Sequence, residues 1–411
     1  VLKLLKRYNT QLILLSVAAT IIFGIATPEL FAPIRFLGDL FINLLKLFAL
    51  PLICSALISA LGNMGQHLTR LKSLATNTIS YMLFSEVAAV TIALLLFNIF
   101  EPGAGLNPDL ILQGKEYAVE HGHELTFSSF ILSIFPSNFF DSLARFDLLP
   151  VVIFSIMFGI ACSFIGEKSK PVVDLANSIR EISMVCLHGV MLLAPIGIFS
   201  LVGSGVAQAH LSGNLGANFF ALLNFVLILF AGLFLHGLWQ LILVALLTKQ
   251  RMRDILGKSI PVFSTAFGTS SSVATLPIAM DVADKLKSKP MATRFVLPLC
   301  ASINVGGMML YEVAAALFFS QMLGLDLSLE KQVLLAVACI LGGMAEGGIP
   351  ESSMVSLVVV FRIVNVPLSA ISILLPLDRI IDRVRTMVNI FGNMCASIVV
   401  SSVTKNIDHK D

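Results

Sequence analysis

The chain has 411 residues, 57% of them hydrophobic and only 13% charged, about half the charged share of a soluble domain. A formal net charge of +2 offers no basic footprint for nucleic acid. The apolar runs are continuous and suited to helical spans of ~20 residues rather than the short alternating strands of a barrel, so an integral all-α membrane protein is expected.

Lys3, Lys6 and Arg7 precede an apolar run from Gln11 to Ile25. A charged start and an apolar middle also mark a signal peptide, but hydrophobic segments continue directly, so this run is read as a first transmembrane helix. The expected segments are 10–27, 37–63, 75–100, 127–165, 173–206 and 217–247, followed by a more irregular half from 254 to 404. Basic clusters at Arg70 and Lys72, Lys168 and Lys170, Lys249 to Lys258, Lys285 to Arg294, and Lys405 and Lys410 mark the cytoplasmic side. Both termini then lie in the cytoplasm. The loop 101–126 carries Glu101, Asp109, Glu116, Glu120 and Glu124 and falls outside.

Residues 249–258 and 285–294 are both positive, with too little chain between them for two crossings. A hairpin that enters from the cytoplasm and returns resolves this. The stretch 331–370, interrupted at Gly342-Gly343 and at Gly347-Gly348-Ile349-Pro350, reads as a second hairpin of opposite sense. Paired broken segments of this kind point to a transporter binding site at mid-membrane.

The first hairpin tip is Ser270-Ser271-Ser272, before Thr275-Leu276-Pro277. Small hydroxyl residues ahead of a helix make an anion pocket from free N–H groups and side chains, or simply a packing turn. Gly306-Gly307 after Asn304 suggests an unwound helix facing a cavity, or a close helix crossing. In the last segment Asp378, Asp382, Arg385 and Asn389 recur at steps of four, three and four, which places them on one helical face. Charges inside a membrane helix are costly and usually functional. A carboxylate can bind a substrate ammonium and an arginine can clamp a carboxylate, although an internal Asp–Arg ion pair would account for the same residues.

These motifs resemble the dicarboxylate/amino acid:cation symporter family over essentially the whole chain. The matching features are Pro102-Gly103-Ala104-Gly105, Ala194-Pro195-Ile196-Gly197, the serine-rich tip, Leu297-Pro298-Leu299 leading to Asn304, Gly348-Ile349-Pro350, and Asp382 to Asn389 with Arg385-Thr386 between them. The resemblance implies eight transmembrane helices plus two re-entrant hairpins in an inverted repeat, and a homotrimer working as an elevator. Residues 1–74 and 127–206 would form the scaffold, 75–100 and 207–411 the transport domain, and 101–126 an extracellular loop. It also implies that Asp382 binds the substrate's amino group and Arg385 its side-chain carboxylate. Asn389 and Ser272 would contact the main-chain carboxylate and amino group, with Ser271, Gly348 and Thr386 completing the set.

Departures from the family pattern concern the driving ion. A sodium-binding aspartate stands here as Gly306, a second as Asn393, and a substrate-seating threonine as Met308. A hard cation prefers charged oxygens, so no sodium site is assigned and a proton is the expected co-substrate. Glu86 and Glu312, with Asn304 and Asn393, are the coupling candidates, and Glu346 and Glu351 flank the second tip. In sodium-coupled relatives the place of Glu86 is a small hydroxyl residue facing the lost aspartate. Glu86 is open to three readings: a relocated cation ligand, a proton carrier, or the partner of a nearby arginine.

Six scattered cysteines without a CxxC read as small buried hydrophobes. His188 and His236 read as hydrogen-bonded packing residues, Asp39 as a partner of Arg35, and Asp174, Arg180 and Glu181 as interfacial pairs. No cofactor is expected, and no nucleophile–base pair suggests an enzyme. The expected function is uptake of aspartate or glutamate across a bacterial inner membrane. Transport of neutral amino acids or C4-dicarboxylates, or a substrate-gated anion conductance, are the rivals.

Overall fold

The computed structural model describes residues 12, 15–16, 18–68, 72–106, 135, 137–145, 148–211, 213, 215–343 and 353–404. Among them there are helices and turns and no strand. A short helix α1 (Ala18–Ala26) bends by 110° into the next segment, and α2 (Phe31–Leu68) then runs for 38 residues. It packs on α5 (Leu148–Ile165), α6 (Lys170–Met191) and α7 (Ala194–Leu211), with the short α4 (Phe139–Arg145) leading in.

The expected single segment 173–206 is two helices. The chain turns at Leu192-Leu193, and Pro195 falls at the second position of α7, where its missing N–H costs no hydrogen bond. The expected ion pairs of Asp174, Arg180 and Glu181 also do not form among the described residues. Adjacent positions such as 180 and 181 point to different sides of a helix. Arg35 and Asp39 do approach, at 3.9 Å.

The second body consists of α3 (Lys72–Phe100), α8 (Leu215–Thr248), α9 (Met252–Thr269), α10 (Ser272–Lys285), α11 (Pro290–Ile303), α12 (Gly306–Met322), α13 (Leu329–Gly343), α14 (Ser353–Ile363) and α15 (Ile371–Val403). Four stretches are long and apolar enough to cross a membrane: Ser73–Phe100, Phe219–Thr248, Pro290–Met322 and Leu377–Val403. Those on α3 and α8 leave Leu83, Val87, Leu95, Leu227 and Phe234 on the outside, as a lipid-facing surface requires. The α12 helix is different. Every residue from Gly306 to Ser320 is buried, as expected of a helix apolar all round, and its one charged residue is Glu312.

Two breaks shape the site. Between α9 and α10, Ser270 takes a left-handed conformation (φ 50°) and Ser271 an extended one, so the serine-rich tip is a helix–turn–helix. Between α11 and α12, Asn304 and Val305 leave the helical region (ψ 93° and 45°). The far end of α15 is tied back to the body. Ser288 lies 2.9 Å from Ser397, the Lys289 amide donates to Ser401 at 2.8 Å, and Asn77 of α3 donates to Thr404 at 2.9 Å. The charged middle of α15 is therefore held at the centre of the body.

Candidate functional site

The four-three-four spacing on α15 does bring its polar residues onto one face, and that face is turned inward. Arg385 is 2% exposed. Its Nη2 donates to Asp378 Oδ1 at 2.9 Å, to Asp382 Oδ1 at 3.0 Å and to Ser353 Oγ at 3.1 Å. Ser353 in turn donates to both Asp378 oxygens at 3.2 and 3.3 Å. The guanidinium lies over the Tyr311 ring at 4.4 Å, close enough for a cation–π contact. Asp382 is the open member of the group, with a side chain 17% exposed.

Two features of this cluster bear on chemistry. Its charge is unbalanced, since two carboxylates share one guanidinium. Its hydrogen bonding is also incomplete, because Arg385 Nε and Nη1 have no partner among the described residues. An unpaired buried donor is expensive, and a carboxylate is the group that guanidinium N–H donors best accept. The internal ion pair weighed from sequence is real, yet it uses only one corner of the arginine.

The other expected residues fall around this centre. Thr386 is buried. Asn389 Oδ1 accepts from the Gly307 amide at 2.8 Å, which fixes the start of α12 against α15. At the tip, Ser271 caps α10 by accepting from the Ala274 amide at 3.2 Å, and Ser272 is buried. Gly348, with Glu346 and Glu351, lies outside the described residues. Met308, which replaces a threonine in the resemblance, is buried. Arg383 leaves the polar face and donates to the carbonyls of Phe267 and Gly268 at 2.7 and 3.4 Å, so it holds the C-terminal end of α9 against α15.

Glu312 and Glu86 are both fully buried, and neither has a hydrogen-bond partner of good geometry among the described residues. Glu312 sits within electrostatic reach of Arg385, with Ser356 of α14 and Cys339 of α13 beside it. Glu86 pairs with no arginine among the described residues, which removes one of its three readings. It also does not stand directly against Gly306. A Cβ at Gly306 would meet His236 Nε2 at 2.9 Å and Ala89 Cβ at 3.4 Å, so Ala89, one turn on from Glu86, holds that place. Asn304 Nδ2 lies 2.8 Å from Asn393 Oδ1, making a neutral amide pair.

Sequence reasoning missed Tyr311, Ser353, His236 and Gln240 as neighbours of these groups. Ser353 had a signal, because Ser352-Ser353 after the Gly-Gly-Ile-Pro tip mirrors the serine-rich first tip. The other three become neighbours only through tertiary packing.

Comparison with known proteins places this geometry in context. Residues 10–403 match the model of the sodium:dicarboxylate symporter family. The chain is 31% identical over 394 residues to a proton/sodium-glutamate symport protein of Bacillus caldotenax, covering 95% of this chain and 92% of that one. It is 31% identical over 407 residues to a proton/glutamate-aspartate symporter of Bacillus subtilis, covering 97% and 95%. A C4-dicarboxylate transport protein of Rhodospirillum rubrum is 28% identical over 403 residues, covering 96% and 88%. The protein belongs to the sodium:dicarboxylate symporter family, whose members are membrane transporters rather than enzymes.

Proposed function

We propose that the protein takes up an acidic amino acid, aspartate or glutamate, together with protons. The observation that carries this reading is the state of Arg385, buried with Nη2 shared by Asp378 and Asp382 and with Nε and Nη1 unpartnered among the described residues. The free donors suit a substrate carboxylate. The surplus negative charge of the two aspartates suits an ammonium, which Asp382, the more exposed of them, would receive. An acidic amino acid supplies both groups.

Charge balance also supports a co-transported cation. The Asp378–Asp382–Arg385 group is already negative, and a substrate of net negative charge cannot join it in a low-dielectric interior without compensation. Glu312, beside the cluster, is positioned to supply that compensation by carrying a proton, and Glu86 is a second carboxyl of the same kind. A C4-dicarboxylate is the competing substrate, because some relatives carry that name. It would bring a second negative charge and no ammonium for Asp382.

In the same proposal the layer built on α2 and α5–α7 is the scaffold, and the body holding α3 and α8–α15 moves through it as an elevator. Three copies assemble in the inner membrane of a bacterium, with both termini in the cytoplasm. Uptake of labelled aspartate into liposomes, under separate proton, sodium and potassium gradients, tests the reading. Glutamate should compete, while serine, glutamine, succinate and fumarate should not, and a proton gradient alone should drive accumulation. Effective competition by succinate would instead favour the dicarboxylate reading. Currents reversing at the chloride potential without stoichiometric flux would favour a conductance.

A further inference from the structure

Away from Arg385, a second set of buried polar groups forms a closed circuit where α3, α8, α11, α12 and α15 meet. Glu86 of α3 is 0% exposed, and neither carboxylate oxygen has a partner among the described residues. Its neighbour Ser85 lies 3.4 Å from Gln240 Nε2 of α8, and that nitrogen lies 2.8 Å from His236 Nε2 one turn earlier. His236 and Gln240 each fill the place of a missing side chain. The imidazole stands where a Cβ on Gly306 would project, and the Gln240 amide stands where a Cβ on Gly392 would project. Next to Gly392 is Asn393, paired with Asn304 at 2.8 Å. One turn before Asn304 is Cys300, whose carbonyl accepts from the Asn304 amide at 2.8 Å. Cys300 is in turn an electrostatic neighbour of Glu86.

Around this circuit the groups other than Glu86 are neutral: two amides of asparagine, one of glutamine, an imidazole, a hydroxyl and a thiol. The titratable neighbours are Cys300 on α11, His236 on α8 and, on α3 itself, Tyr81, which lies near Cys300 and Cys395 of α15. Glu312 on α12 belongs to the Arg385 side instead. No charged side chain of the helices packed on α3 reaches Glu86 among the described residues. A carboxylate without donors or counter-charge in such a place costs several kcal/mol, so Glu86 needs a cation. A metal ion would need a cage of several oxygen ligands. Here the clefts at Gly306 and Gly392 are already filled by His236 and Gln240, and the nearest partners include nitrogen and sulfur. A proton needs no cage, since one O–H bond neutralises the group.

We propose that this circuit is a proton-binding site centred on Glu86, separate from the substrate cluster, that carries one proton per transport cycle. The inference rests on the reading of the protein as a proton-coupled symporter. In each cycle a Glu86 oxygen gains a proton from the outer solution and loses it to the inner one, with no other bond made or broken. His236 and Gln240 are positioning residues that keep the site closed to larger cations.

The test compares the wild-type protein with Glu86→Gln and Glu312→Gln in sodium-free liposomes, measuring the aspartate accumulation ratio as a function of the imposed pH gradient. Each coupled proton contributes a tenfold ratio per pH unit. Glu86→Gln should therefore still transport, with its limiting ratio lowered about tenfold for each unit of pH gradient. An unchanged ratio in an active Glu86→Gln protein overturns this inference and leaves proton coupling standing. A wild-type protein that ignores the pH gradient overturns both. Sodium-driven accumulation that vanishes in Glu86→Gln assigns the circuit to a metal cation and overturns the proposal. If Glu86→Gln does not fold, infrared spectroscopy of the wild-type and Glu312→Gln proteins decides. A protonated-carboxyl stretching band that persists in Glu312→Gln supports the site, and its absence there refutes it.

Discussion

Replacing Arg385 with methionine removes the cation that two buried carboxylates share while keeping most of the side-chain volume. Asp378 and Asp382 each place an oxygen within 3.0 Å of Nη2. Without the guanidinium these oxygens face each other at roughly 6 Å or less, a repulsion of roughly 3 kcal/mol at an effective dielectric near 20. That agrees with the 3–5 kcal/mol range, in order of magnitude, for breaking a buried ion pair from one side. Asp378→Asn alone should cost only about 1 kcal/mol, because Arg385 keeps Asp382 and one charged hydrogen bond becomes a neutral one. In the double variant the repulsion is gone, so Asp378→Asn should restore about 2–3 kcal/mol to the Arg385→Met protein. Thermal unfolding of the purified protein, followed through Trp239, reads all four corners of the cycle. Trp239 is the single tryptophan and stacks on His236 in the same body. If Asp378→Asn lowers the stability of Arg385→Met by as much as it lowers that of the wild type, the shared-cation account is wrong.

Three further outcomes follow from the same geometry. Tyr311→Phe keeps the ring under Arg385 and removes a hydroxyl with no partner among the described residues, so aspartate affinity should stay close to wild type. Tyr311→Leu should weaken it by a factor of ten or more, in line with about 2 kcal/mol for a desolvated cation–π contact; equal affinities of the two variants in a binding titration would remove the ring from the account. Gly306→Ala should destabilise by about 1–3 kcal/mol through its clash with His236, and His236→Ala should relieve part of that loss in unfolding measurements. An unperturbed Gly306→Ala protein would show that the cleft is not filled. Arg383→Gln should free the end of α9, raising the maleimide reaction rate of Ser270→Cys several-fold. An unchanged rate would mean that the contacts to Phe267 and Gly268 do not hold the tip.

The parts of this structure that depend on one element were readable from its sequence. Asp378, Asp382, Arg385 and Asn389 share a face because helical spacing makes them do so, and the serine-rich tip breaks where three consecutive hydroxyl residues compete for backbone hydrogen bonds. The turn at Leu192-Leu193 was missed even though Ala194-Pro195 follows it, since a proline near a helix start marks a boundary as readily as a motif. What could not be read was which elements meet. Ser353 holds Arg385 and Asp378 from 25 and more residues away, and His236 fills the cleft at Gly306 from another helix. The pairing of Arg385 with Asp378 was weighed as an alternative to substrate binding, yet the geometry lets both hold, because the pair engages Nη2 and leaves other donors unpartnered among the described residues. Glu86 could be flagged as a buried charge from sequence alone, but only its neutral surroundings separate it from an ion pair.

The most direct test of proton-coupled acidic amino acid uptake is the internal pH of sodium-free liposomes carrying the purified protein. On this account, external aspartate acidifies the interior of wild-type vesicles, and the signal is lost with Arg385→Met. Aspartate uptake that requires sodium and leaves the internal pH unchanged would contradict it.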